Sequence, residues 1–244
     1  MPYALRMSAT DARTLFMRIA AAPDDAISLD EAALLIAQEE YPDLDRARYL
    51  RRLDELAVAA RSRVECETSP YGVANALSDY LFEDQKFRGN AEDYYSPRNS
   101  FLNDVLDRGF GIPITLSVLY MEVARRLDLT VHGIGLPGHF IVRFDAPDEQ
   151  ILIDPFHRGT ILAQDDCRAL MSQAGAYSRA LEPSLLAPVS KREILYRMLN
   201  NLKTVYLSDH DYRRALIAVE RLVLLRPDDA HETRLRDRLR DVVS

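Results

Sequence analysis

Apolar residues in roughly the first hundred positions recur at intervals of three and four, the spacing that places them on one face of an α-helix. The clearest stretch has this pattern at Tyr49, Leu50, Leu53, Leu56 and Ala57. Ser28 and Glu31 have the spacing of a capping box, which predicts a helix start. Ser69 and Pro70 are typical of an N-cap and a first helical residue, ahead of a helix that buries Val73, Leu77 and Leu81. The N-terminal part is therefore predicted to be helical.

The apolar pattern changes at the centre of the chain. Residues 113–127 are apolar on most sides, which predicts a helix that is central and largely buried. Three short strand-like runs follow at 131–136, 140–144 and 151–153. Pro137-Gly138 and the segment 146–149 supply the turns between them. This order predicts an α+β core, with a buried helix packed on a small antiparallel sheet.

The C-terminal part returns to a helical pattern from Lys191 onward, and Pro183 and Pro188 mark a linker before it. We therefore predict two parts, 1–182 and 183–244. If Pro227 ends a tetratricopeptide unit of about 34 residues, three residues fall on the signature positions of that repeat. They are Leu202, Tyr206 and Ala215. The match is partial, because Lys203 stands where the repeat usually has glycine, and Val219 and Leu222 replace its aromatic residue and its alanine. A helix at 230–242 follows. Because one repeat cannot bury its own faces, we expect this tail to pack on the core.

Composition narrows the function classes. The formal net charge is −7, which disfavours general binding to nucleic acid. The two cysteines are far apart in sequence, which favours a reducing compartment. Residues 1–14 lack the apolar core of a signal peptide, and no run approaches the ~18 apolar residues of a membrane span. We expect a soluble, cytoplasmic protein with no membrane partner.

His139 and Asp154 are the candidate chemical groups. One begins a predicted strand and the other ends the next strand, so a hairpin would place the imidazole beside the carboxylate. Asp154 would then fix the tautomer of His139 and stabilise its charged form, as the third member of a catalytic triad does. A nucleophile at the N-terminus of the buried helix would complete the set.

Other chemistry has weaker support in the sequence. The remaining histidines show no ligand spacing with one another or with carboxylates, so we expect no metal site and no cofactor; they are His132, His157, His210 and His231. Gly133, Gly135 and Gly138 spell a G-x-G-x-x-G pattern, but no helix begins at its end, and the nucleotide interpretation fails.

Four motifs occur in a fixed order along the chain. They are Tyr94-Tyr95-Ser96-Pro97-Arg98-Asn99-Ser100-Phe101-Leu102-Asn103, Gly111-Ile112-Pro113-Ile114-Thr115-Leu116-Ser117, Pro137-Gly138-His139-Phe140 and Asp154-Pro155-Phe156. In this order they resemble the SirB family, bacterial transglutaminase-like proteins that carry tetratricopeptide repeats. The resemblance extends from about Leu29 to the C-terminus. It implies a papain/transglutaminase-like core with cysteine on a helix, then histidine and aspartate on strands. His139 and Asp154 match that histidine and aspartate.

The cysteine of this pattern is missing. The resemblance places its position at about Pro113, and none of Ile112, Ile114 and Thr115 is cysteine either. Thiol chemistry at that point is therefore excluded, and transglutaminase or cysteine-protease activity does not follow from the fold.

Two functions remain open after this comparison. The favoured hypothesis is a non-catalytic protein that binds a protein or peptide through the degenerate cleft and the repeat helices. The alternative is a peptide amide or ester hydrolase, or an acyl transferase, in which His139 activates Thr115, Ser117 or water. Asn99 and Ser100 are candidates for lining the cleft, although Asn99 also suits a helix cap or a loop contact. A purely structural scaffold is a third class, and the sequence leaves the oligomeric state open.

Overall fold

A computed structural model of the chain describes residues 9–173 and 183–244. The helices are Ala9–Ala21 (α1), Leu29–Gln38 (α2), Arg46–Glu65 (α3), Pro70–Ser78 (α4), Leu102–Arg108 (α5), Pro113–Arg126 (α6), Gln164–Gln173 (α7), Lys191–Ser208 (α8), Tyr212–Leu225 (α9) and Ala230–Val243 (α10). The strands are Arg88–Gly89 (β1), Phe110–Gly111 (β2), Val131–Leu136 (β3), His139–Asp145 (β4), Gln150–Asp154 (β5) and Thr160–Leu162 (β6). Short 3₁₀ turns are Asp24–Ala26, Pro97–Ser100 and Pro183–Leu186, and Asp79–Asp84 is a π-helical segment. The predicted mixture of helix and sheet is confirmed.

Both predicted helix starts are confirmed, because α2 begins directly after Ser28 and α4 directly after Ser69, but only Ser69 forms the side-chain cap. Ser69 caps α4 as expected, because its hydroxyl accepts a hydrogen bond from the Gly72 amide at 3.0 Å. Ser28 precedes α2, but its side chain makes no cap. Its hydroxyl instead donates to Asp30 at 2.6 Å, so the predicted capping box is wrong. A hydrogen bond to an ionised carboxylate is stronger than one between a hydroxyl and a backbone amide. The Ser28 hydroxyl therefore bonds to Asp30 and does not cap the helix.

The centre of the fold follows the apolar pattern. Helix α6 is buried along its whole length except at Met121, Arg125 and Arg126. It packs against β3 and β4 of an antiparallel sheet whose strand order is β3-β4-β5-β6. The three predicted strands are confirmed. The sequence did not predict β6 or the short parallel pair β1–β2, because two or three residues are too few to show an alternation.

Helices α8, α9 and α10 pack in sequence on one another, and α8 also contacts α2 and α6. Buried α8 residues belong to the same hydrophobic core as α6; they are Ile194, Leu195, Met198, Leu199 and Leu202. Before α8, Pro188 forms an isolated antiparallel bridge with Ile134 of β3. The predicted division at 182/183 lies at the edge of residues outside the described part and remains a prediction. Among the helices described, none has the length and apolar character needed to cross a bilayer.

Candidate functional site

His139 is the first residue of β4 and follows the turn at Gly138. Gly138 has a φ of 70°, a left-handed conformation that favours glycine because it has no Cβ. The turn pairs Leu136 with His139 across the β3–β4 hairpin. The ring Nε2 of His139 lies 2.8 Å from Oδ2 of Asp154, and the side chain of His139 is 9% exposed.

Asp154 ends β5, the neighbour of β4 in the sheet, and its side chain is fully buried. Its Oδ1 accepts hydrogen bonds from the backbone amides of Phe156 at 3.0 Å and His157 at 3.3 Å. Its Oδ2 takes the contact from His139. Burial by itself raises the pKa of Asp154, but the hydrogen bonds and charges of His139 and His157 outweigh burial and lower that pKa below its usual value. Asp154 is therefore a carboxylate at neutral pH.

His157 is a member of the site that the sequence analysis missed. Its Nδ1 lies 2.7 Å from Oδ2 of Asp154, and its ring centroid is 5.7 Å from that of His139. The expectation that His157 has no spacing with a carboxylate is wrong. The turn after β5 folds back on Asp154, so a residue only three positions later reaches the same oxygen. The signal was available, since aspartate followed by proline is typical of such a turn.

Pro113, where the resemblance places the cysteine of the family, lines the same cavity as His139. Pro113 and Ile114, the first residues of α6, line a cavity of about 120 Å³ together with His139. The other lining residues are Tyr94, Gly138, Phe140, Arg197 and Asn201. Neither cysteine lines this cavity: Cys66 is exposed at the end of α3, and Cys167 is buried on α7. No thiol therefore faces His139.

The two candidate hydroxyls on α6 are engaged by the backbone. Thr115 Oγ1 donates to the carbonyl of Asn99 at 2.7 Å and accepts from the amide of Ile112 at 3.1 Å. Ser117 Oγ lies 3.5 Å from the carbonyl oxygen of Phe140. Both residues are fully buried, and neither lines the cavity. The hydroxyls thus hold the start of α6 in place, and they have no hydrogen bond to His139 among the described contacts.

Asn99 and Ser100 are buried and do not line the cavity beside His139. Asn99 is fully buried, and its amide donates to the carbonyl of Asp93 at 2.6 Å and accepts from Asn90 at 3.1 Å. Ser100 is 2% exposed, and the cavity is lined by other residues. Asn99 therefore holds the loop ahead of α5, which is the loop contact left open by the sequence, and Phe101 is the N-cap of α5.

Arg197 of α8 forms a wall of the cavity and was also missed from the sequence. Its Nη2 donates to the carbonyls of Leu136 at 3.0 Å and His139 at 3.2 Å. The guanidinium lies 5.2 Å from the ring centroid of Phe140, a cation–π contact. Burial lowers the pKa of Arg197 from its usual value, yet an arginine remains charged. Helix α8 therefore contributes directly to the site.

Comparisons with known proteins show which family and which relatives the chain is similar to. Residues 47–200 match the sequence profile of the transglutaminase-like superfamily. A UPF0162 protein of Xylella fastidiosa (strain Temecula1) is 38% identical over 230 residues, which are 92% of this chain and 80% of that protein. A UPF0162 protein of Pseudomonas aeruginosa is 34% identical over 209 residues, 85% of this chain and 76% of that protein. F-box only protein 21 of Homo sapiens is 33% identical over 138 residues, 53% of this chain and 21% of that protein. No solved structure matches the chain significantly.

Proposed function

The chain belongs to the transglutaminase-like superfamily, and we propose that it is a non-catalytic member that binds a protein or peptide segment in the cavity beside His139. The observation that carries the proposal is the residue at the nucleophile position. Pro113 faces the same cavity as His139, and a proline side chain has no group that can attack a carbonyl. The cavity therefore has a full set of lining residues but no nucleophile at the position of Pro113.

The lining of the cavity suits a peptide. Tyr94, Ile114 and Phe140 give apolar surface, while Arg197 and Asn201 bring polar groups to the same space. Peptide sites combine these two features, since apolar pockets hold side chains and polar groups bind the backbone. A cavity needs at least about 10–15 Å³ to hold one water, so 120 Å³ is room for several waters or one side chain. We therefore expect one anchoring side chain to enter the cavity.

Retention of His139 and Asp154 is compatible with binding alone. Asp154 accepts two backbone amides of the turn after β5 as well as the two imidazoles. It thus stabilises the local fold whether or not a reaction takes place. His139 has Nε2 committed to Asp154, which leaves Nδ1 as the ring nitrogen for a bound segment.

We further propose that α8 and α9 form a tetratricopeptide-type unit and that the chain is a SirB-type protein. The three residues at signature positions support this, because Leu202, Tyr206 and Ala215 are all buried. Residues 209–211 join α8 to α9, a short connection typical of paired antiparallel helices. Because α8 supplies Arg197 and Asn201 to the cavity, a bound segment would contact both parts of the chain.

The compartment that we propose for this function is the cytoplasm. Cys66 and Cys167 are both free thiols, one exposed and one buried. Free thiols persist in reducing compartments and are oxidised more readily outside them.

The test uses a phage-displayed library of random peptides selected on the purified chain, followed by calorimetry with the enriched peptides. Asn201→Trp fills the cavity and should weaken binding at least about tenfold, since a blocked pocket loses its anchoring side chain. The matched control is Thr204→Trp, an exposed position on the same helix, which should bind as the wild type does. Failure to enrich any peptide, or equal binding by the two variants, would overturn the proposal.

A hydrolase that uses water as nucleophile is the second candidate, and the His139–Asp154 hydrogen bond is the observation that favours it. Its substrates would be peptide amides or esters. The assay is release of p-nitrophenol from p-nitrophenyl acetate and cleavage of a fluorogenic peptide library. Turnover above the uncatalysed rate that His139→Ala abolishes would favour the enzyme. A rate equal in both proteins would exclude it for these substrates.

A further inference from the structure

Peptide binding leaves the arrangement of the two imidazoles around one carboxylate oxygen unexplained. Oδ2 of Asp154 contacts Nε2 of His139 and Nδ1 of His157, and these three atoms all lie within 4.8 Å of one another. We propose that they bind one divalent transition-metal ion of the zinc type. This inference does not rest on the proposed function, because it concerns the side of the His139 ring that faces Asp154.

The donor set fits such an ion. Two imidazole nitrogens and one carboxylate oxygen are ligands that zinc and iron(II) accept, and three protein ligands leave a position for water or a ligand. In a tetrahedral site with bonds of 2.0–2.1 Å the donors lie about 3.3 Å apart. The present contacts are 2.8 and 2.7 Å, so each would lengthen by about half an ångström. Each imidazole would coordinate through its present contact atom and carry its proton, if neutral, on the other nitrogen.

The movement that this requires can be made by the side chain of His157, which is 55% exposed. Asp154 can stay fixed, because its Oδ1 keeps the two backbone amides while Oδ2 takes the ion. Hydrogen bonds to the second oxygen of a ligating carboxylate are the outer contacts that orient metal ligands.

The exposed ring of His157 connects the proposed metal site with solvent, and Asp154 supplies a negative charge. A surface cavity of about 300 Å³ adjoins His157 and is lined by Arg88, Gly89, Phe156 and Arg158 as well. Arg158 is paired with Glu83 at 3.5 Å, which offsets part of its charge. Of the three proposed ligands, His157 is the one that lines this cavity, and Asp154, the acidic member of the group, is fully buried.

The experiment is a titration of the purified, metal-free chain with Zn²⁺, followed by calorimetry and by competition with a chromophoric chelator. All proteins carry Cys66→Ser, because the exposed thiol is itself a zinc ligand. The test variant is His157→Asn, whose amide can still donate to Asp154 but cannot replace an imidazole as a ligand. The matched control is His231→Asn, which removes an exposed histidine from the first turn of α10.

We expect one Zn²⁺ per chain in the parent and in His231→Asn, and an affinity at least about tenfold lower in His157→Asn. Visible absorption bands of bound Co²⁺ should appear in the parent and disappear in His157→Asn. Three results would overturn the inference: no stoichiometric binding, equal affinity in both variants, or equal loss in both. Failure of peptide selection leaves this titration unaffected, so the two proposals fail separately.

Discussion

Replacement of Asp154 by alanine should destabilise the fold more than any single loss of a histidine partner. The carboxylate accepts four hydrogen bonds, two from backbone amides of the turn and two from the imidazoles. Alanine offers no acceptor to any of these donors. The ring of His157 is 55% exposed and can turn to water, whereas the ring of His139 is 9% exposed. Roughly three donors would then lose a partner.

The magnitude follows from the cost of an unpaired buried donor. At about 1–3 kcal/mol for each, taken near the low end because the turn lies close to the surface, Asp154→Ala should cost about 3–5 kcal/mol. Asp154→Asn keeps the shape and one acceptor oxygen and should cost about 1–2 kcal/mol. His157→Ala, which leaves the other three hydrogen bonds of Asp154 in place, should cost less than about 1 kcal/mol.

The assay is urea denaturation at pH 7 followed by circular dichroism, with the slope compared among variants before free energies are derived. A loss below about 1 kcal/mol in Asp154→Ala would refute the reasoning. So would a loss in His157→Ala as large as in Asp154→Ala. Either result would mean that the turn after β5 does not depend on the carboxylate.

Lowering the pH should remove the stability that the Asp154 carboxylate contributes to the fold. The pKa of Asp154 is lower in the folded chain than its unfolded value of about 3.9, so the folded state binds this proton less tightly. Its contribution to stability is full above about pH 4 and is lost as the pH falls through the folded pKa. The stability difference between wild type and Asp154→Asn should therefore shrink from pH 5 to pH 3. A stability difference that stays constant from pH 5 to pH 3 would contradict the lowered pKa of Asp154 in the folded chain.

Other predictions concern residues away from the cleft. Lys203→Met should lower the free energy of unfolding by about 3–5 kcal/mol in urea denaturation, because it leaves Glu232 buried without its ion-pair partner at 2.5 Å. Adding Glu232→Leu should recover most of that loss. If the double variant is as unstable as the single one, the ion pair is not the cause. In the native protein a thiol reagent should modify Cys66 quickly and Cys167 only after unfolding, because burial and the nearby Asp166 and Asp154 charges raise the pKa of Cys167 to about 11. Two equally fast thiols would contradict this. Gly138→Ala should lower the free energy of unfolding by about 1 kcal/mol, since the turn needs a positive φ, and an unchanged denaturation midpoint would show that the turn adapts.

Local patterns predicted the elements that build the site. The apolar run of α6 and the alternation of β3 to β5 identified the core, and the spacing between His139 and Asp154 anticipated a hairpin contact that is observed at 2.8 Å. His157 was missed because its contact depends on a turn, and a turn rotates the chain in a way that neither helical nor strand periodicity describes.

Contacts between distant parts of the chain could not be predicted from the sequence. Arg197 reaches the β3–β4 turn from a helix that begins more than fifty positions later, and no periodicity connects the two. Lys203 of α8 is buried against Glu232 of α10 in an ion pair, although the two residues are 29 positions apart. In each case a side chain pairs with a polar group that only the folded chain brings close to it. The local sequence carries no signal for such a partner.

The position of Arg197 on α8 has a consequence for the order in which the site forms. A ribosome makes the chain from its N-terminus, so His139 and Asp154 emerge well before Arg197, which is 58 residues after His139. A nascent chain that has folded only its sheet and α6 would hold the His139–Asp154 pair with one wall of the cavity missing. The cavity is completed only when α8 docks. The unfinished protein therefore cannot present the complete site to a partner during its own synthesis.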